Sequence, residues 1–524
     1  MTRLFAGVKP GVGPVLKVMA NNVDDPLTTP NTDYHKYRFN SETAAIGYGD
    51  HVFEWVIPST GYSWPAGTQT LDISSALRVV LRNISTGYFM EPQARFEQLY
   101  PKANLFPYVV DRSANYRPVH RCFDANYPGT FGDWYQLSQR RLPLGSVFGT
   151  LLQRKTLPAG TIQWLPNSGN YSLILPGGTG NYTAIGNMYT SGPLPDPGYF
   201  SSENMSFDFY YLDLPIDDTP YPAVTGSFAA GKKILRLDPT TAKMAKPGFD
   251  VDAASADQLI FDGDKLPMKV VKTGSFTLAS GATQTIPLGA AYDTGILVDY
   301  QVNKVGEDLW VPPWPSIANE VINVRYRING TDLQFQNAGP ASVVVRYFVM
   351  AEDRLAPSVG TAKVVEVGAD YALIRRPGSA GTRLRDTIID TRMSYLPIVA
   401  QGWVPFASFV ASDFATIGTH MHVVNLSNGG FKPFVVAMLS RSRKDDPNLI
   451  DYFLPYGLWI NNNSYFGDNS FMIRVSDSQI KFYCSDGSRL IQSYRNDQGQ
   501  YQLINSQHDT VGLRYYVFAI PTSL

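Results

Sequence analysis

Few stretches of the sequence place reactive residue types at a spacing that chemistry could use. Residues 226–233 (GSFAAGKK) come closest to a phosphate-binding loop. Such a loop needs a hydroxyl after its lysine to bind magnesium, and a helix N-terminus that faces the phosphates. Lys233 stands where the hydroxyl would be, and residues 234–237 have the pattern of a strand. We therefore predict a glycine turn in a hairpin that binds no nucleotide.

A histidine pair is the second candidate. His420 and His422 flank Met421 on a predicted strand, so both side chains point to the same face. They could supply two nitrogen ligands to a metal ion, and a three-fold axis could bring six together. Two ligands from one chain do not complete a zinc site, and no other ligand cluster supports one. A polar-facing strand or an interface with ordinary histidines is favoured, and no metal or cofactor is predicted.

The third candidate is an aromatic loop at residues 310–315 (WVPPWP), which lies between two predicted strands. The prolines fix the backbone there and would hold Trp310 and Trp314 stiffly. Rigid exposed aromatic side chains suit sugar stacking or protein docking, whereas buried ones would plug the end of their own sandwich. We predict that Trp310 and Trp314 lie at or near a contact surface, with burial in the sandwich as the alternative.

No sequence motif names a reaction. A nucleophile elbow, a zinc-protease motif and a dinucleotide fingerprint after a strand are all missing. Carboxylates are numerous, but pairing them for glycoside hydrolysis requires a fold, so a glycosidase is left unsupported. The sequence is therefore interpreted as that of a protein that is not an enzyme.

Composition predicts the fold class. The chain has 524 residues, more than one hydrophobic core holds, and only 17% of them are charged. Tyr and Phe are abundant, with 44 Gly and 37 Pro, a profile that favours strands and turns over helices. We predict an all-β protein of tandem antiparallel β-sandwich-like modules, with long loops and little helix.

Charge and cysteine content narrow the partners. The net charge is −1 and no block of basic residues forms a stripe, so nucleic acid is not expected as a partner. Cys122 and Cys484 are the two cysteines, which form no zinc pattern and no disulfide framework, and are predicted to be buried. No signal peptide and no membrane-spanning apolar run is recognised. These features predict synthesis in a reducing compartment.

A pattern that occurs twice organises the second half of the chain. Residues 346–351 (RYFVMA) match residues 514–519 (RYYVFA), and residues 327–335 (RINGTDLQF) match residues 474–482 (RVSDSQIKF). The two matches have different offsets, so the second copy carries an insertion between its matched strands. A fixed order of elements with an insertion between them indicates a duplicated domain.

Four domains follow from this pattern. They are an N-terminal β-rich domain (1–157), a Gly/Pro/Tyr-rich β domain or insertion (158–245), a β-sandwich repeat (246–355) and its longer copy (360–524). A weaker echo in the first domain pairs residues 9–11 with 246–248, and 37–42 with 259–264. Whether the first domain is a third repeat is left open.

Several short segments resemble the tail proteins of tailed bacteriophages, namely baseplate, tip or fibre subunits. They are residues 249–252 (FDVD), 257–262 (DQLIFD) and 268–274 (MKVVKTG). The resemblance implies a non-catalytic virion structural protein that is made in the bacterial host cytoplasm. It implies contact with itself, as a trimer or ring, with other tail proteins, and with a host surface glycan or protein. A carbohydrate-active depolymerase or a glycan-binding adhesin is the alternative.

Overall fold

The computed structural model describes the fold of the chain in segments, and all structural statements below refer to them. They are residues 3–31, 33–42, 48–57, 68–72, 77–85, 90–98, 105–111, 139–141, 171–174, 183–184, 205–214, 231–246, 248–254, 258–263, 269–289, 296–310, 324–337, 339–351, 357–368, 371–393, 396–411, 413, 419–426, 431–442, 450–453, 458–461, 472–485, 487–495 and 501–521.

The regular secondary structure of the described residues is nearly all β, which confirms the all-β prediction. The described helices are single 3-10 turns at Tyr34–Lys36, Leu384–Asp386 and Phe406–Ser408. The first twelve strands are β1 (Leu4–Lys9), β2 (Gly13–Met19), β3 (Tyr37–Asn40), β4 (Tyr48–Ile57), β5 (Thr68–Asp72), β6 (Leu77–Ser85), β7 (Met90–Gln98), β8 (Leu105–Asp111), β9 (Gln139–Arg141), β10 (Tyr171–Ile174), β11 (Thr183–Ala184) and β12 (Met205–Asp213).

The remaining strands lie in the middle and last parts of the chain. The middle part contains β13 (Leu235–Leu237), β14 (Ala242–Ala245), β15 (Leu259–Asp262), β16 (Val270–Leu278), β17 (Thr283–Pro287), β18 (Ile296–Lys304), β19 (Leu309–Trp310), β20 (Val324–Asn329), β21 (Asp332–Asn337) and β22 (Val343–Ala351). The last part contains β23 (Val365–Val367), β24 (Ala372–Arg375), β25 (Thr387–Asp390), β26 (Ile398–Pro405), β27 (Val410–Ala411), β28 (Thr419–Asn425), β29 (Phe431–Ser442), β30 (Ile450–Phe453), β31 (Leu458–Asn461), β32 (Met472–Val475), β33 (Gln479–Ser485), β34 (Gly487–Arg495) and β35 (Tyr501–Pro521).

Three small sheets share one design and are here named hub sheets one, two and three. They have the strand orders β1-β2-β3, β13-β14-β15 and β23-β24-β25. In each, the third strand carries one extra residue opposite the middle strand, a β-bulge that bends the strand. The bulge falls at the same register in all three, with the unpaired residues Arg38, Ile260 and Ile388.

Backbone hydrogen bonds outside the strands repeat with the same geometry. After each third strand, an N–H donates back to a carbonyl of the middle strand at 2.8 to 3.1 Å. The backbone N–H of the residue that follows each middle strand donates to the carbonyl oxygen of the residue that precedes the third strand. The first set joins Ser41 to Leu16, Gly263 to Ala242 and Thr391 to Ala372, and the second joins Ala20 to Lys36, Lys246 to Gln258 and Arg376 to Asp386.

The three hub sheets bury their apolar faces against one another in a single core. Equivalent positions of the middle strands supply Val18, Met244 and Ile374 to this core. Each hub sheet spans fewer than about 40 residues, a length at which a segment rarely folds alone, so each sheet depends on the other two. The remaining members are Leu16, Phe39, Ala242, Ile260, Phe261, Ile388 and Ile389, with Val364 packed alongside.

The contacts between hub sheets repeat head to tail. The bulge residue of hub sheet one, Arg38, donates a hydrogen bond to the carbonyl oxygen of Thr391 in hub sheet three. The bulge residue of hub sheet three, Ile388, lies so close to Gly263 of hub sheet two that a Cβ there would be 2.8 Å from its Cδ1. Gly263 and Thr391 hold equivalent positions, so in both contacts a bulge residue lies beside the residue that follows the third strand of another hub sheet. The two contacts run from hub sheet one to three and from hub sheet three to two.

A larger β structure follows each hub sheet. The second is a sandwich of the sheets β16-β22-β18 and β17-β21-β20 around one core. The third is a sandwich of the sheets β26-β35-β29-β30 and β19-β32-β33-β28-β27. In the first, the strands pair as β4-β12-β8-β9 and β5-β6-β7. Within the described residues, each hub sheet is therefore followed along the chain by a larger β structure, and a further sheet, β11-β10-β31, joins the first and last parts of the chain.

The registers demonstrate the equivalence of the second and third sandwiches. Gly274 pairs with Tyr347 in the second sandwich, as Gly402 pairs with Tyr515 in the third. Both glycines lie under the paired tyrosine ring, where a Cβ would come within about 3.0 Å of it. Phe335 and its match Phe482 both lie in their sandwich cores, each on the second strand of an antiparallel pair, Phe335 on β21 and Phe482 on β33.

The first copy has the same arrangement of its large sheet. Its strand β12 lies between β4 and β8, as β22 lies between β16 and β18. The pairing skips Val52 near the middle of β4, whereas it skips the second residue of β16 and of β26. The first part of the chain therefore shares the order of the three central strands with the other two parts, and the position of the irregularity differs.

Some sequence-based expectations differ from the structure. Sheet pairings cross two predicted boundaries, because β12 pairs with β4 across 157/158 and β14 pairs with β15 across 245/246. Met90–Gln98 forms strand β7, which pairs with β6. Lys9 to Gly11 is the β1–β2 turn and does not correspond to Lys246 to Gly248, which follows β14.

The shared core predicts that damage to one hub sheet spreads to the others. Phe261→Ala removes a fully buried ring from hub sheet two and should lower the free energy of unfolding by about 3–5 kcal/mol. Amide hydrogen exchange should then increase in β2 and β24 as well as in β14. Val349→Ala, in the core of the second sandwich, is the matched control. Faster exchange confined to hub sheet two would contradict a shared core.

Candidate functional site

The lysines of the loop-like segment are engaged by the protein itself. Lys232 Nζ donates to the carbonyl oxygen of Gly248 at 2.6 Å, and Lys233 Nζ lies 2.9 Å from the Asp252 carboxylate. The hydrogen bond to Asp252 raises the pKa of Lys233, and the same contact lowers the pKa of Asp252. Strand β13 follows, where a phosphate-binding loop would need a helix. Residues 226–230 lie outside the described residues, and the described lysines brace a turn.

The two histidines lie on β28 beside a pair of phenylalanines. The His420 ring is 5.0 Å from that of Phe406, and the His422 ring is 5.6 Å from that of Phe409. Burial lowers the pKa of His422 below its ordinary value. The described residues contain no group of three or more His, Cys, Asp or Glu that could hold a metal ion. The geometry therefore favours aromatic packing over metal ligation for this pair.

Trp310 lies in the interior of the protein. Its strand β19 leaves the second sandwich and pairs with β32 of the third, with Trp310 opposite Ile473. The side chain is 4% exposed and belongs to the core cluster of the third sandwich. Trp310 is therefore not an exposed docking residue. Trp314 lies outside the described residues. The contact that Trp310 makes is between two sandwiches of one chain.

Arg346 lies beside Trp310 at this junction, on the outer face of the second sandwich. Its guanidinium carbon is 3.9 Å from the Trp310 ring centre, and Nη1 donates to the carbonyl oxygen of Pro433 at 2.7 Å. Burial lowers the pKa of Arg346 to about 10, so the side chain is still charged at neutral pH. A cation over an aromatic face in a desolvated site contributes about 2 kcal/mol.

Gln301 completes the junction by pairing with a strand edge. Its side-chain amide donates to the carbonyl oxygen of Val435, and its amide oxygen accepts from the Val435 N–H at 3.4 Å. β29 pairs with β30 only from Leu439 onward, so Val435 lies on a stretch of open edge. The Gln301 and Arg346 side chains together satisfy backbone groups that another strand would otherwise pair.

Further contacts on both sides of this pair close the junction. They are the Phe348 ring 5.0 Å from that of Phe434, and the Arg474–Asp308 ion pair at 2.8 Å. Sequence reasoning found Arg346 as part of a repeat but missed its role, because its contacts lie 87 residues away at Pro433. No local pattern signals such a partner.

The equivalent arginine of the third copy is also enclosed. Arg514 is fully buried, and its Nε donates to the Tyr516 hydroxyl at 2.9 Å. Cys484 is buried in the third sandwich core, as the sequence predicted, and Cys122 lies outside the described residues. Among the described residues, no helix is long and apolar enough to cross a membrane.

Comparison with known proteins yields no relative. No protein-family model matches the chain, and neither does any curated protein or any solved structure. The functional interpretation therefore depends on the architecture of the chain.

The junction predicts a large cost for removing Trp310. Trp310→Ala should lower the free energy of unfolding by about 3–5 kcal/mol, because it leaves a cavity and uncovers Arg346. Thermal and denaturant unfolding of the full chain would measure this loss. Val305→Ala removes a half-exposed side chain from the same connection and is the matched control. Equal effects from the two substitutions would contradict the burial of Trp310.

Because burial lowers the pKa of His422, we expect the stability of the third sandwich to fall at acidic pH. A histidine whose pKa is lowered by folding binds protons more tightly in the unfolded state, so stability falls as pH drops below about 6.5. His422→Gln should remove this part of the pH dependence, as measured by denaturant midpoints between pH 5 and 8. His420→Gln, on the same strand, is the control and should retain it. Parallel pH profiles for wild type and His422→Gln would overturn this assignment.

Proposed function

We propose that the protein is a non-catalytic structural subunit of a bacteriophage tail, at the baseplate, tip or fibre. The observation that carries this proposal is the repetition of one hub sheet three times within one chain, with a core that all three share. Tails are built around an axis of three- or six-fold symmetry, and oligomeric partners meet through matching closed symmetry. A single chain with three similar faces fits such an axis without first forming a trimer.

The proposed role is assembly, with host contact as a second possibility. Three β units held together by one shared core present several surfaces to partners and need no active site. The partners would be other tail proteins and further copies of this chain, with a host surface glycan or protein as the external contact. The net charge of −1 and the lack of a basic stripe argue against nucleic acid. The protein would be made in the host cytoplasm and located in the virion.

The enzyme alternative has no supporting contact in the described residues. Asp386, a carboxylate with a lowered pKa, accepts from the backbone of Ser358 and Thr382 and so stabilises a turn. A carbohydrate-active depolymerase would need paired acids in a cleft. This alternative is therefore kept as an outcome of the test.

Electron microscopy of virions made with and without the intact gene would test the proposal. Without the protein, we expect tails that lack part of their distal assembly. A peptide tag inserted at Val359, which is 93% exposed, should label the tail in the complete virion. The same tag at the buried Val349 should abolish incorporation and is the control. Complete tails without the protein, together with hydrolysis of host polysaccharide by the purified chain, would support the enzyme instead.

A further inference from the structure

The first strands of the three hub sheets share a feature that the core does not explain. These outer strands are β1, β13 and β23, and each lies at the end of its sheet. Among the strands that the structure describes, none pairs with their free edges. Each edge therefore presents a row of backbone donors and acceptors that another strand could pair.

The outer strands also expose aliphatic side chains at one equivalent position. Leu4, Leu235 and Val365 are 37%, 46% and 45% exposed. They pair with Val18, Met244 and Ile374, which lie in the shared core. Directly paired residues of an antiparallel sheet point to the same face, so the exposed side chains continue the apolar face of the core.

Repetition makes these residues informative. A single exposed leucine is ordinary on a protein surface. The three copies have diverged at neighbouring positions, since the bulge residue is Arg38 in one copy and isoleucine in the other two. The exposed aliphatic position has nevertheless stayed aliphatic in all three. One residue further on the same face, Leu237 and Val367 are exposed as well.

Charge does not protect these edges. Each outer strand carries a single charged residue, and that residue is paired within its own copy. Lys9 bonds Glu42 at 3.0 Å, Arg236 bonds Asp238 at 2.7 Å, and Glu366 bonds Arg375 at 2.6 Å. Sheet edges that avoid association keep free charges, prolines or bulges. Because these charges have partners within their own copy, the charged residues of the outer strands add little like-charge repulsion when two identical edges approach each other.

We propose that the outer strands form a self-association surface on which a second copy of this chain pairs its own outer strands. Antiparallel pairing satisfies the open edges, and burying the aliphatic side chains extends the shared core across the interface. The surface is the same on both copies, as a closed symmetric contact requires. The proposal concerns self-association and does not depend on which larger assembly the protein serves.

Sedimentation velocity of the full-length chain over a range of micromolar concentrations would test this surface. The test variant combines Leu4→Lys, Leu235→Lys and Val365→Lys. The matched control combines Val305→Lys, Val359→Lys and Val410→Lys, which changes the charge equally at exposed aliphatic sites, one of them on the short strand β27. Wild type and control should associate, and the test variant should have a Kd weaker by tenfold or more, which corresponds to at least ~1.4 kcal/mol.

Hydrogen exchange of the wild-type chain keeps the test decisive even where the triple variant folds poorly. Amides of Leu4–Lys9, Leu235–Leu237 and Val365–Val367 should become more protected as concentration rises, and those of Val410–Ala411 should not. A wild-type chain that stays monomeric at all concentrations would overturn the proposal. A folded test variant that associates like wild type would do the same, as would protection that is independent of concentration.

Discussion

The bulge in the third strand of each hub sheet is the constraint on which the rest of the structure depends. The extra residue bends the strand toward the next hub sheet, where Arg38 meets Thr391 and Ile388 meets Gly263. Each sheet is too short to fold alone and buries its apolar face in the core that all three share, so the sheets depend on one another for stability. The larger β structures are then attached at equivalent places around one centre.

The junction between the second and third sandwiches shows how equivalent positions acquire different partners. Arg346 and Arg514 occupy the same place on the outer face of their central strands. Arg346 is covered by Trp310 and a backbone carbonyl of the third sandwich, whereas Arg514 bonds Tyr516 of its own strand. A buried guanidinium needs such partners, because desolvation without them costs several kcal/mol. Both buried arginines therefore need hydrogen-bond or aromatic partners, and each copy supplies them from different residues.

The sequence predicted what depends on residue type at fixed spacing. The strand match that ends in Phe335 and Phe482 was visible because inward aromatic and aliphatic residues alternate within a hairpin. The hub sheets were nearly invisible, since a β-bulge is a backbone register and leaves no fixed residue type. Of the weak echo, the part that linked residues 37–42 with 259–264 is confirmed for the strands, because β3 and β15 are equivalent. The burial of Trp310 could not be predicted, because its partner strand lies in another copy.

Because the core is assembled from three distant segments, it cannot form until the last of them has been synthesised. Arg38 and the carbonyl of Thr391 that it bonds are separated by 353 residues. At a synthesis rate of about 5–20 residues per second, hub sheet one waits on the order of tens of seconds for hub sheet three. During that interval its apolar face has no native cover, which is the condition under which chaperones bind and wrong strands pair. Protein yield in a cell should therefore depend on translation speed and chaperone supply more than equilibrium stability alone implies.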